Sequence, residues 1–125
     1  MNREKGIWWL ASFPKSGNTW TRSFIANLLH KEPEPLDINA FHTGCIASAR
    51  GWIDEVLGFD TAELSHDEID RFRPGVYRWS HEQAEEHEYH KCHDAYTFLA
   101  DGTALFPADA CCGALYIMRN PLDVV

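Results

Sequence analysis

The sequence predicts an α/β fold, a parallel sheet flanked by helices, and three stretches carry that expectation. Ile7–Ser12 is an apolar run that feeds a tight loop and then an amphipathic helix. Tyr89–Tyr96, YHKCHDAY, reads as a strand of period two. Ala114–Met118, ALYIM, is a continuous apolar run, the pattern of a strand covered on both faces as in parallel sheets.

The first of these extends to Leu29 as IWWLASFPKSGNTWTRSFIANLL. A buried strand over Ile7–Ser12 leads into a loop carrying Pro14, Lys15, Ser16 and Gly17, and a helix begins at about Asn18. Trp20, Phe24, Ile25 and Leu28 are spaced to share one face of that helix. A strand, a Gly-containing loop and a helix N-terminus together hold an anion well. The first backbone N–H groups of a helix lack internal acceptors, and the helix dipole places positive charge at the same end. Lys15 adds a full charge, and Ser16, Asn18 and Thr19 add hydrogen-bond donors. The nucleotide-triphosphatase loop ends in Gly-Lys-Ser/Thr, whereas this Lys precedes the Gly by two residues. A loop that merely caps its own helix is the bland alternative. Such a loop needs neither a lysine nor three small polar residues around the first turn.

Composition bounds the rest. With 125 residues, 45% hydrophobic and 13% aromatic, the chain is one globular domain at most. A net charge of −8 argues against a general nucleic-acid or anionic-membrane surface, while leaving room for a local basic pocket. MNREKG and the seven mostly apolar residues after it are too short for a secretory leader or a membrane span. Cys45, Cys92, Cys111 and Cys112 show no C-x-x-C spacing and read as four reduced thiols of a cytoplasmic protein.

The middle of the chain reads as helical. KEPEP, residues 31–35, ends the first helix, and residues 36–46 show no period. Within Ala47–Leu57, Trp52, Ile53, Val56 and Leu57 make a helical face, with Gly58 as a stop. Ser65 and Glu68 form a capping-box pattern for a short helix containing Ile69 and Phe72 and ending at Pro74, with a third helical piece from Pro74 to Ala84. Glu82–Glu88, EQAEEHE, reads as a solvated face or loop; an acidic lip favouring a cationic acceptor is the sharper alternative.

In YHKCHDAY, strand alternation sets Lys91 and His93 on one side and Cys92 on the other. Ligands of parallel sheets bind at the carboxyl ends of the strands, which brings this cation and base towards the loop after the first strand. A zinc site among His81, His87, His90, Cys92 and His93 would need tetrahedral convergence, yet alternation faces His90 and Cys92 one way and His93 the other, so no metal is expected. Asp101-Gly102 signals a turn between the apolar runs 96–99 and 103–106. After Ala114–Met118, Asn120 suits an N-cap and Pro121 the first helical position, so Arg119 ends the third strand where an anion ligand belongs.

PKSGNTW resembles the 5′-phosphosulfate loop of sulfotransferases that use 3′-phosphoadenosine 5′-phosphosulfate (PAPS). KCH resembles the Lys-x-His motif after the second strand of the soluble, cytosolic members, and YIMRNPLDVV resembles the start of their 3′-phosphate motif. The resemblance implies a P-loop-type sheet in which Lys15, Ser16, Gly17, Asn18, Thr19, Trp20 and Arg119 bind the nucleotide. It further implies that Lys15 stabilises the leaving phosphate, Lys91 contacts the sulfuryl group and His93 is the general base. The acceptor would be a small alcohol, phenol, amine or sugar, with the helical middle lining its pocket, and neither nucleic acid nor membrane would be a partner. The serine that completes the third motif would fall two residues beyond Val125. Family members are longer, so residues 1–125 are expected to be the N-terminal part of a single domain, truncated after the third strand. Self-association or a missing C-terminal half follows from that expectation. Two further readings remain: an inactive fragment that binds PAPS, its product 3′-phosphoadenosine 5′-phosphate (PAP) or a partner, and a P-loop phosphotransferase. The latter would need Mg²⁺ and an acidic ligand, for which Asp123 is the nearest residue.

Overall fold

Gly6–Ser12 forms strand β1 at the centre of a three-stranded parallel sheet. The computed structural model describes residues 5–37, 39 and 44–124. The start of MNREKG, part of the 36–46 stretch and Val125 therefore lie outside the described residues. β2 (His87–Cys92) and β3 (Gly113–Ile117) flank β1 in the order β2-β1-β3. Register sets Trp9 beside His90 and Ala114, and Ala11 beside Cys92 and Tyr116. β1 is apolar from Ile7 to Ala11 because both of its faces are covered: Ile7, Trp9 and Leu10 are all buried.

Helix α1 (Asn18–Leu29) starts on the Leu10/Ser12 face, where the Asn18 amide donates to the Leu10 carbonyl and to Ser12 Oγ. Helices α2 (Arg50–Leu57) and α3 (His66–Gln83) cover the other face. There Trp9 packs edge-on against Tyr77 and Phe106 at ring separations of 4.9 and 5.1 Å. The chain is thus a small α/β domain with helices on both sides of its sheet. Among the described residues no helix is long and apolar enough to cross a membrane.

Several elements depart from the sequence expectation. Pro74 does not end a helix; α3 runs unbroken for 18 residues through it. The missing N–H costs roughly 3 kcal/mol in a helix interior. That cost is spread over a helix whose Ile69, Arg73, Val76, Tyr77 and Ser80 form one buried stripe against the sheet layer. Ser65 and Glu68 do close the capping box at its start. β2 stops at Cys92 instead of continuing to Tyr96, because β1 turns into its loop after Ser12 and offers no further ladder partner. Asp94 is drawn instead to the Arg73 guanidinium, 2.9 Å away.

The third strand is one residue out of phase with the expected run, and it is not covered on both faces. It lies at the sheet edge, and Leu115, Tyr116 and the following Met118 are exposed. The apolar face of α1 is open as well. Trp20, Phe24 and Leu28 are exposed, and only Asn18 in the helix is buried, so α1 is tethered by its first turn and not by its stripe. The Asp101-Gly102 turn is present, with Phe98 bridged to Ala104 across it. Asn120 caps a single 3-10 turn, Pro121–Asp123, by accepting the Leu122 N–H.

Candidate anion and acid–base site

Two left-handed residues shape the loop between β1 and α1. Gly17, at φ 101°, is the N-cap of α1, a conformation that glycine adopts without strain. Lys15 sits at φ 64°, which for a residue with a side chain costs about 1–3 kcal/mol and occurs most often at functional loops. Its carbonyl accepts from Arg119 Nη1 at 3.2 Å, tying the end of β3 to the loop. No side chain caps α1, and its first turn carries no acidic residue, so the positive end of the helix dipole is unopposed.

His93 lies just past the end of β2. Its Nδ1 is 2.7 Å from the Ser12 carbonyl oxygen, which can only accept, so Nδ1 carries the proton. In the neutral ring Nε2 therefore holds the lone pair, the arrangement a proton acceptor needs. A cleft of about 340 Å³ is lined by Lys15, Gly17, Asn18, Thr19, Lys91 and His93. Two cations and an imidazole thus share one cavity with a helix N-terminus.

The other predicted site residues are distributed differently. Asn18 lines the cleft, but its amide nitrogen is spent on β1, and its buried Oδ1 has no partner among the described residues. Ser16 is buried and, with Arg119, borders a neighbouring apolar cleft of about 730 Å³ that Phe13, Tyr116 and Met118 also line. Trp20 stands on the open face of α1, its ring parallel to Phe24 at 5.8 Å.

The chain matches no family model, no curated protein and no solved structure.

Three further histidines, His81, His87 and His90, serve the sheet. His81 Nδ1 accepts the Ile7 N–H, and His87 Nδ1 accepts the Trp8 indole N–H. His90 is buried, stacked on Trp52 at 4.4 Å and bonded to the Cys45 carbonyl and Glu88. A Cβ at Gly44 would overlap the His90 ring, so glycine there lets the 44–47 segment run along β2.

Sequence reasoning missed Arg73. It is buried on α3, donating to Tyr77 Oη and to Asp70 and Asp94, with its guanidinium over the Phe106 ring. Burial works against its charge, but Asp94, Tyr77 and Asp70 outweigh that and hold its pKa above the ordinary value. Burial also pushes the nearby Cys92 thiol up to about 11, so it stays protonated at neutral pH. An arginine inside a helix reads as a surface residue in sequence, and nothing local marks its partner 21 residues away.

Proposed function

We propose that this chain carries the donor-binding and acid–base part of a PAPS-dependent sulfotransferase, on a sulfotransferase-like P-loop fold. The observation that supports the reading best is the shared cleft. Two of the three sequence motifs meet in it, since the loop lysine, Lys91 and His93 line one cavity, while Arg119 of the third borders the neighbouring cleft. The fit to a phosphosulfate is chemical. An uncapped helix end without acidic neighbours, two lysines and a left-handed loop favour a polyanion.

PAPS, when bound, supplies a sulfuryl group on a phosphate leaving group. In this reading Lys15 and the α1 N-terminus offset the negative charge that grows on the bridging oxygen, a preorganised electrostatic contribution. Lys91 holds a sulfuryl oxygen, and His93 takes the proton of the acceptor hydroxyl or amine at Nε2. Arg119 serves the 3′-phosphate from outside the cleft, and Trp20 belongs to the same nucleotide-binding set. The exposed thiol of Cys45 and the absence of any disulfide among the four cysteines suit a cytoplasmic setting.

Transfer of labelled sulfuryl from PAPS to a panel of phenols, alcohols, amines and sugars tests the proposal. Turnover that disappears in Lys15→Ala and His93→Gln supports it. A second reading, a fragment that binds PAP without turnover, draws on the open apolar faces of α1 and β3. PAP binding with no transfer to any acceptor would favour that fragment; neither binding nor transfer would overturn both.

A further inference from the structure

The left-handed residue Lys15 is held from outside its own loop. Arg119, 104 residues further along the chain, donates from Nη1 to the Lys15 carbonyl oxygen at 3.2 Å. The same arginine shares a cleft wall with Phe13 and Ser16, so the end of β3 meets the loop at more than one residue. We infer that Arg119 is a positioning residue for the 5′-phosphate loop as well as a ligand of the 3′-phosphate: it braces Lys15 in the conformation that shapes the anion site. The inference rests on the sulfotransferase reading and adds a contact that acts with no 3′-phosphate present.

The backbone makes the brace necessary. A lysine at φ 64° relaxes to a commoner conformation unless its surroundings hold it, and among the described residues no other hydrogen bond reaches its carbonyl. The sheet makes the brace rigid. Ser12 at the end of β1 pairs with Ile117 of β3, so the loop and Arg119 spring from adjacent strands at a fixed separation. The guanidinium can also serve two partners. It forms no ion pair among the described residues, and the carbonyl takes one of its five N–H donors, leaving the others for a phosphate. A loop fixed in advance does not have to be ordered by the arriving anion, so its backbone N–H groups and the Lys15 ammonium bind more tightly. The bond itself lies in water and adds little to the stability of the fold. Its effect belongs to ligand binding.

NMR of the isotope-labelled intact chain tests the brace, with adenosine 5′-monophosphate (AMP), which lacks the 3′-phosphate, and PAP titrated in parallel. In Arg119→Ala without ligand, the Lys15 carbonyl carbon should shift upfield, as a carbonyl does on losing a donor. AMP should bind this variant at least fivefold more weakly than the parent. The ratio should persist in 1 M KCl, where screening acts within about 3 Å and the loss of a positive charge by itself no longer counts. Arg119 is exposed, so the urea midpoint should not move. An unmoved Lys15 resonance, or a loss of AMP affinity that vanishes in salt, overturns the brace. So does unchanged AMP affinity; if PAP affinity falls in that case, Arg119 serves the 3′-phosphate alone and the sulfotransferase reading stands. A parent that takes PAP but not AMP also overturns it, because a loop braced in advance binds the 5′-phosphate on its own. A parent that binds neither nucleotide removes the brace and the sulfotransferase reading together.

Discussion

His93 owes its proposed role to one hydrogen bond. The Ser12 carbonyl fixes the proton on Nδ1 and leaves Nε2 as the base. His93→Gln should therefore lower turnover by about 10²–10⁴-fold, the usual worth of a positioned general base. PAP affinity, measured by titration, should stay within a few-fold. Turnover of the variant within twofold of the parent would remove His93 from the chemistry. Arg73 belongs to the buried stripe of α3. Arg73→Met leaves Asp94 and Asp70 without their cation and should cost about 3–5 kcal/mol, read from urea unfolding. That Lys15, Lys91 and His93 meet in one cleft was legible in the sequence, because each lies at or just past the carboxyl end of a strand. Arg73 was not legible, because its meaning depends on a partner that folding brings to it.

Helix α3 shows how local rules combine. Its start obeys them: the Ser65 backbone N–H and hydroxyl both bond the Glu68 carboxylate and hold it below the ordinary carboxylate range. A depressed folded pKa means that this contribution is complete above the unfolded value and fades as pH falls through the folded one. Ser65→Ala should cost about 1 kcal/mol at neutral pH. The stability gap between parent and Glu68→Gln should narrow as pH falls into that acidic window; a gap independent of pH would contradict the capping box. The interior of α3 breaks the rules at Pro74. Sequence reasoning stopped the helix there because it weighs only the lost N–H, whereas the buried stripe from Ile69 to Ser80 acts through the whole layer. The same limit applies to β2, whose end is set by where β1 turns away and not by the alternation of its own residues.

At the scale of the molecule, the parallel sheet flanked by helices was legible from two apolar runs, the alternating YHKCHDAY stretch and the βα junction. The exposure of α1 and β3 was not, because periodicity shows which residues share a face but not whether anything covers it. Trp20, Phe24, Leu28, Leu115, Tyr116 and Met118 present apolar surface to solvent. Sedimentation velocity should accordingly show concentration-dependent association, reduced when Phe24→Glu and Leu28→Lys are combined. A strictly monomeric parent at high concentration would contradict it. The account as a whole turns on whether the β1–α1 loop, Lys91 and His93 form a nucleotide site. Calorimetric titration of the chain with PAP, beside Lys15→Ala, addresses that most directly. The account predicts stoichiometric binding that Lys15→Ala weakens at least tenfold; a folded parent that takes up no PAP, or binds it equally well without the lysine, would contradict it.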